Sequence, residues 1–409
     1  MENNTKYKTR VVARAFYEDA YLDFFITYYL AIGFDEIYIL KADTDPQYNL
    51  PDYTLPSYLP EEWKQRVTIF NVENTGNHII QQQYDKFKDN KVDWVLNIDC
   101  DEFLILDWCK YPGGINEYLE KYLDEVVSLG LVDNKNQVQQ IKYRWMCITK
   151  MNNNWSEHSN TVLGYLEKYP MEVYRYIKSF GATQHMVSKE GRNEKEGFIN
   201  CHFYLNKSIA SELSNSKNET IKTKKFIWLI DNQHCKANNS NPKTFRKDKS
   251  CCMDGFILHI NTRTLSNALT KCLTTQLRNN KKIKDLNNFK SWINNINLDE
   301  ISRIKNDKEK YSNELHNYKK EFNNYLNSKS FFPAKIHKFH SLVKQHLDEE
   351  GLLELVSDKC LRSELLCNEK INISELKFVN LDLENNILKQ LCSEKGINYD
   401  KCYAVMSLY

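Results

Sequence analysis

Hydrophobic and polar positions in the first hundred residues switch between two periods. Arg10-Val11-Val12-Ala13-Arg14-Ala15 is a short apolar run of the kind that forms a buried strand, and Glu18-Asp19 behind it suits the first turn of a helix. Tyr21, Phe24, Phe25, Tyr28, Tyr29 and Ile32 then recur at spacings of three and four, which places them on one helical face, and Gly33 supplies the stop. Ile37-Tyr38-Ile39-Leu40, Val67-Thr68-Ile69-Phe70 and Trp94-Val95-Leu96-Asn97-Ile98 read as further buried strands, with a polar helix over 78–88. Strands alternating with helices predict an α/β fold with a parallel sheet. Its ligand crevice should lie at the carboxyl ends of the strands.

Between about 138 and 260, strand-like runs (Val138 to Trp145, Phe198 to Leu205, Phe226 to Ile230, Phe256 to Ile260) alternate with polar stretches. Those at 206–225 and 231–250 are rich in Asn, Ser and Lys and read as surface loops. Beyond about 264 the period becomes helical. Ile301, Ile304, Tyr311, Leu315, Tyr318, Phe322 and Tyr325 keep steps of three, four or seven, predicting one long amphipathic helix that Phe331-Phe332-Pro333 breaks. The sequence therefore divides into an α/β domain over 8–275 and a mainly helical C-terminal region over 276–409. The apolar stripe of that region needs a cover, either the α/β domain of the same chain or another protein.

Composition narrows the function classes. With 409 residues, 41% hydrophobic and 27% charged, the chain can build a sizeable core and is not a disordered polymer. Lys and Arg number 56 against 54 Asp and Glu, a net charge of +2, so there is no basic footprint for nucleic acid. The 12 cysteines are scattered without a Cys-x-x-Cys pair and read as free thiols rather than a zinc ribbon or a disulfide framework. Met1 to Lys6 lacks the apolar stretch of a signal peptide, and no window approaches the ~20 apolar residues of a transmembrane segment. These features predict a soluble, cytoplasmic chain.

The segment richest in chemistry is Trp94-Val95-Leu96-Asn97-Ile98-Asp99-Cys100-Asp101-Glu102-Phe103. An apolar strand ends in Asp-x-Asp, so two carboxylates emerge where a parallel sheet opens onto its crevice, and oxygen ligands of this kind suit Mg²⁺ or Mn²⁺. Short acidic triplets are common, and taken alone this one also fits a solvated strand end.

Its context is more specific. Val11 to Leu40, reading VVARAFYEDAYLDFFITYYLAIGFDEIYIL, resembles the opening of GT-A glycosyltransferases of the family 2-like and family 92 type. Those enzymes begin with a strand, a Lys-Asn-Glu-like turn and an aromatic helix ending in Ile-Gly-Phe-Asp. Gln81-Gln82-Gln83-Tyr84-Asp85 resembles the family's Gln-x-x-Tyr-Asn segment, and DWVLNIDCDEFL resembles its Asp-x-Asp-Glu-Phe block. Looser blocks follow. Tyr176-Ile177-Lys178-Ser179 with His185 resembles the family's Lys-Ser…His segment, and His259 to Thr264 with Lys271 resembles its histidine block. Cys201-His202-Phe203-Tyr204 competes for the latter but is off the family spacing by one.

The resemblance implies a GT-A, Rossmann-like nucleotide-sugar-binding domain and a metal-dependent hexosyltransferase that takes a hexose from a nucleoside diphosphate sugar, UDP-linked by preference, to a glycan or protein acceptor. It implies Mn²⁺ or Mg²⁺ on Asp99, Asp101 and His259, and donor contacts from Asp43, Asp45, Gln81 and Arg263. Departures from the pattern, Tyr17 before Glu18 and Lys41 after the second strand, keep open a catalytically inactive carbohydrate-binding or scaffolding protein of the same fold. Glu102 reads as a structural acid or a ligand. An acceptor base is required, and Glu157, His158, Glu172, His185 and Asp254 all qualify by type.

Overall fold

The computed structural model describes residues 7–42, 52–72, 92–106, 111–128, 133–138, 140–148, 171–183, 199–200, 203–204, 229–230, 255–260, 263–279, 286–327 and 379–409. Its strands are β1 (Thr9–Ala15), β2 (Glu36–Lys41), β3 (Val67–Asn71), β4 (Trp94–Asp99), β5 (Glu102–Leu106), β6 (Gln140–Ile148), β7 (Met171–Ala182), β8 (Ile199–Asn200), β9 (Phe203–Tyr204), β10 (Leu229–Ile230) and β11 (Gly255–His259). Its helices are α1 (Asp19–Ala31), α2 (Glu61–Lys64), α3 (Ile115–Ser128), α4 (Leu265–Asn279), α5 (Leu286–Asn294), α6 (Leu298–Asn306), α7 (Ser312–Asn327), α8 (Leu381–Lys395) and α9 (Tyr399–Met406). The expected polar helix over 78–88 and the loops at 206–225 and 231–250 lie outside the described residues.

One mixed, mostly parallel sheet carries the α/β part, in the order β3-β2-β1-β4-β7-β6-β11-β5 with β10 beside β6. β3, β2, β1 and β4 run parallel, as the alternation of strands and helices predicts. Two strands break the parallel run: β7 is antiparallel to β4 and β6, and β5 is antiparallel to β11. The sequence reading did not foresee β5, β7 or α3. A two-residue turn separates β4 from β5, too short for a parallel crossover, yet β5 does not pair with β4: it lies at the far edge of the sheet, antiparallel to β11.

The helix α1 is buried on nearly all sides, with only Asp23 of its residues partly exposed. A helix apolar all round belongs in an interior, and here α1 packs against the sheet on one side and the C-terminal helices on the other. Its tyrosines also fix the edge of the sheet. The Tyr28 hydroxyl donates to the Leu104 carbonyl at 2.6 Å, and the Tyr29 hydroxyl donates to the Glu102 carbonyl at 3.0 Å while accepting from the Leu104 N–H at 2.9 Å. β5 is an edge strand, and these hydroxyls satisfy backbone groups that would otherwise be left without a partner. Phe103 is enclosed by the rings of Phe24, Phe25, Tyr28 and Tyr29. Gly33 ends the helical stretch with φ +95°, and Gly114 stands so close that an added Cβ would come 2.5 Å from the Ile32 carbonyl oxygen.

A second core joins Tyr17, Leu265, Leu269 and Leu273 to the C-terminal helices through Phe289, Ile301, Phe322, Leu388, Leu391, Val405 and Leu408. All described elements after residue 276 are helical. The sequence boundary at 275/276 falls inside α4, whose apolar face belongs to this second core. The long helix expected over 301–325 is two helices, α6 and α7. Asp307 follows the first and turns its carboxylate forward to accept the Lys310 N–H at 3.0 Å, a local bond that competes with helix continuation. Ile301, Ile304 and Phe322 are buried against their own chain. No described helix is long and apolar enough to cross a membrane.

Candidate functional site

The strand pairing brings four residues of the sequence motifs to the carboxyl edge of the sheet. β4 lies against β1 with Asp99 opposite Arg14. The chain turns through Cys100 and Asp101 and re-enters the sheet as β5, whose first residue, Glu102, stands opposite His259 at the end of β11. The Ile260 N–H donates to the Asp101 carbonyl at 2.9 Å and ties the turn to the segment after β11. Asp101, Glu102 and His259 are all buried; Asp99 keeps about 30% of its side chain exposed.

Cations are interleaved with these acids. The Arg14 Nε donates to Asp99 Oδ1 at 2.7 Å, and the Lys178 ammonium lies 2.9 Å from both Asp99 Oδ2 and Glu102 Oε2. Lys271 of α4 reaches Asp101 Oδ2 at 2.6 Å and lies 3.9 Å from Glu18. Arg263 is fully buried. Its guanidinium donates to Glu18 at 2.6 Å and to the Cys100 carbonyl at 2.7 Å, and it sits 3.8 Å over the Tyr21 ring. Buried charges are tolerated only with such partners.

The environment pushes the carboxyl groups apart in acidity. Burial raises the pKa of Asp99, but Arg14 and Lys178 outweigh it and hold the group below the usual carboxylate range. Burial likewise acts on Asp101, where Lys271 and then His259 more than offset it. Glu102 goes the other way, pushed up to about 7 by burial against the opposing pull of Lys178. Burial also raises the Glu18 pKa above its ordinary value in spite of Arg263.

Asp101, Glu102 and His259 each turn a donor atom toward the others, all within 4.8 Å, so the three could hold a metal ion. Two carboxylates and an imidazole form a mixed oxygen and nitrogen donor set of the kind that divalent metals accept. Glu102 Oε1 is buried and has no hydrogen-bond partner among the described residues, which leaves its lone pairs available to a ligand. His259 Nε2 lies 3.4 Å from Asp101 Oδ2.

Of the sequence candidates, Asp101 and His259 come together, and Glu102 joins them. Asp99 is adjacent but is not one of the three; its carboxylate faces Arg14 and Lys178. Arg263 requires a correction. Expected to clamp phosphate oxygens, it is buried beneath the turn with its guanidinium directed at Glu18 and Cys100, because Glu18 at the head of α1 draws it inward. Asp43, Asp45, Gln81, His202, Glu157, His158, His185 and Asp254 lie outside the described residues, as does the side chain of Glu172. Arg14 escaped the sequence reading, although a basic residue one position before the end of β1 is a signal for a partner at the neighbouring strand end. Lys178 and Lys271 stood in recognised blocks without an assigned role. No protein-family model matches the sequence, and a comparison with curated proteins finds no match.

Proposed function

We propose that the chain is a GT-A-type hexosyltransferase that uses a divalent cation, Mn²⁺ by preference, to move a hexose from a nucleoside diphosphate sugar, UDP-linked, to a glycan or protein acceptor. The observation that carries this reading is the meeting of Asp101, Glu102 and His259 at the carboxyl edge of a mostly parallel sheet, where the Asp-x-Asp-Glu block and the histidine block of the resemblance converge. Ligands bind at that edge in open α/β sheets. The imidazole favours Mn²⁺ over Mg²⁺, which prefers oxygen donors. A cation held there supplies neutralisation of the charge that develops on the leaving diphosphate.

The chain's own residues have separable tasks. Asp101, Glu102 and His259 would hold the ion. Arg14 and Lys271, each partly exposed beside the acids, would face phosphate oxygens and add positive charge at the leaving group. Arg263 holds the turn in place through the Cys100 carbonyl. A second reading, a catalytically inactive protein of the same fold, is favoured by one observation: Asp99 and Asp101 already have cationic partners, so the cluster is compensated without a metal. Calorimetric titration with UDP, GDP and their sugars, with and without Mn²⁺, tests the proposal. Nucleotide binding that requires Mn²⁺ is expected; binding of neither metal nor nucleotide would contradict it and favour the second reading.

A further inference from the structure

We infer that Glu384, in the C-terminal helix α8, is a positioning residue for the turn between Asp99 and Glu102, acting through Tyr21, Thr264 and Arg263. Glu384 lies in a part of the chain that no motif reaches, and its consequence for metal binding rests on the metal-centre reading above.

The supporting contacts form a continuous path. Asn380 seats α8 by donating its backbone N–H to the Ala20 carbonyl at 2.8 Å, while its side chain caps the helix by accepting from the Leu383 N–H at 3.1 Å. One turn on, the buried Glu384 Oε1 accepts hydrogen bonds from the Tyr21 hydroxyl of α1 and, at 2.5 Å, from the Thr264 hydroxyl before α4. Tyr21 presents its ring to the Arg263 guanidinium, 3.8 Å from the centroid. Thr264 Oγ1 accepts the Asn267 N–H at 2.9 Å, and Asn267 Oδ1 accepts the backbone N–H of Arg263 at 3.2 Å. Arg263 then reaches the Cys100 carbonyl at 2.7 Å, and Cys100 is the residue between Asp99 and Asp101.

One carboxylate oxygen therefore sets both a ring and a hydroxyl, these flank the arginine, and the arginine holds the turn that presents the acids. An apolar side chain at 384 would leave two buried hydroxyls competing for other acceptors and free the Tyr21 ring to move. A carboxamide would still accept from both. Were Glu384 only an anchor for α8, its loss would loosen α8 and leave the turn alone.

Hydrogen exchange read by mass spectrometry on the full chain separates these cases, comparing the parent with Glu384→Leu, Glu384→Gln and Tyr21→Phe. Exchange in peptides covering 94–106 should quicken several-fold to about tenfold in Glu384→Leu, the equivalent of one lost hydrogen bond, and stay near the parent in Glu384→Gln. Mn²⁺ affinity should fall by about 10–100-fold in Glu384→Leu, the size of an outer-shell effect, and recover in Glu384→Gln. If Glu384→Leu does not fold, Tyr21→Phe decides, because it removes one of the two donors and the ring's anchor. Faster exchange confined to 381–395 with 94–106 unchanged would overturn the assignment. A parent chain that binds no Mn²⁺ would contradict the metal-centre reading alone, and the exchange data would still decide the role of Glu384.

Discussion

Glu102 closes the acidic turn on itself: its Oε2 accepts the backbone N–H of Asp99 at 2.8 Å. The same oxygen lies 2.9 Å from the Lys178 ammonium, while Oε1 has no hydrogen bond among the described residues. One side of this carboxylate shapes the turn, and the other is available beside Asp101 and His259. A structural role and a ligand role for Glu102 are therefore compatible.

Asp101→Asn should keep the shape of the site and remove one negative donor from the three. Mn²⁺ affinity should fall by at least the ~10–100-fold seen for changes further from a metal, in a chain that still folds but melts at a lower temperature, because Lys271 loses its carboxylate partner. Electron paramagnetic resonance of free Mn²⁺ during titration gives the affinity directly. Equal affinity in parent and variant would remove Asp101 from the ligand set.

Lys178→Met should destabilise the fold even without ligand. The lysine is fully buried and serves two acids, so its loss leaves Asp99 and Glu102 close together without their shared counter-charge. Breaking a buried pair in this way costs about 3–5 kcal/mol. Urea denaturation should show a lower midpoint, and a change within about 0.5 kcal/mol, typical of a surface substitution, would mean that the lysine is not the shared partner.

The pH response of stability should carry a contribution from Glu384. Burial raises its pKa above the ordinary 4.5, against the pull of Thr264 and Tyr21. The folded chain thus holds this proton more tightly than the unfolded chain. The stabilisation is complete below the unfolded value of about 4.5 and is lost as pH rises through the higher folded value. Glu384→Gln keeps the acceptor without the charge, so its unfolding free energy relative to the parent should climb with pH over that window and level off above it. Urea denaturation at a series of pH values checks this; a difference independent of pH would contradict it.

A chain cut after residue 330 should lose more than an accessory segment. The second core closes through α8 and α9, down to Leu408 and Tyr409, and the Tyr409 hydroxyl donates to the Lys319 carbonyl at 2.9 Å. Truncation would uncover Leu265, Leu269 and Leu273 of α4 and the outer side of α1. Precipitation or a lowered melting temperature is expected in expression and thermal melts. A truncated chain as stable as the parent would show that the C-terminal helices are peripheral.

The parts legible in the sequence are those set by local period. The strands around Val12, Ile39 and Leu96 and the helix from Asp19 to Ala31 follow from the spacing of apolar residues, and the carboxyl-edge rule placed Asp99 and Asp101 correctly. Pairings between distant segments were not legible. Nothing local indicates that the strand starting at Glu102 would pair with β11 instead of β4, or that the strand holding Lys178 would insert antiparallel. Arg263 just before α4 and Lys271 two turns into it are both basic, and their fates diverge because Glu18 and Tyr21 surround the first whereas the second stays at the rim. Glu384 contacts Tyr21 across 363 positions, a separation that no periodicity reports.

The central claim, metal-dependent transfer from a nucleotide sugar, is tested most directly by nucleotide release from a panel of UDP- and GDP-sugars, measured with and without Mn²⁺ for the parent and for Asp101→Asn. The account predicts release of nucleoside diphosphate by the parent from at least one donor, dependent on Mn²⁺ and lost in Asp101→Asn. No release from any donor by the folded parent at saturating Mn²⁺, or release that is the same in Asp101→Asn, would contradict it.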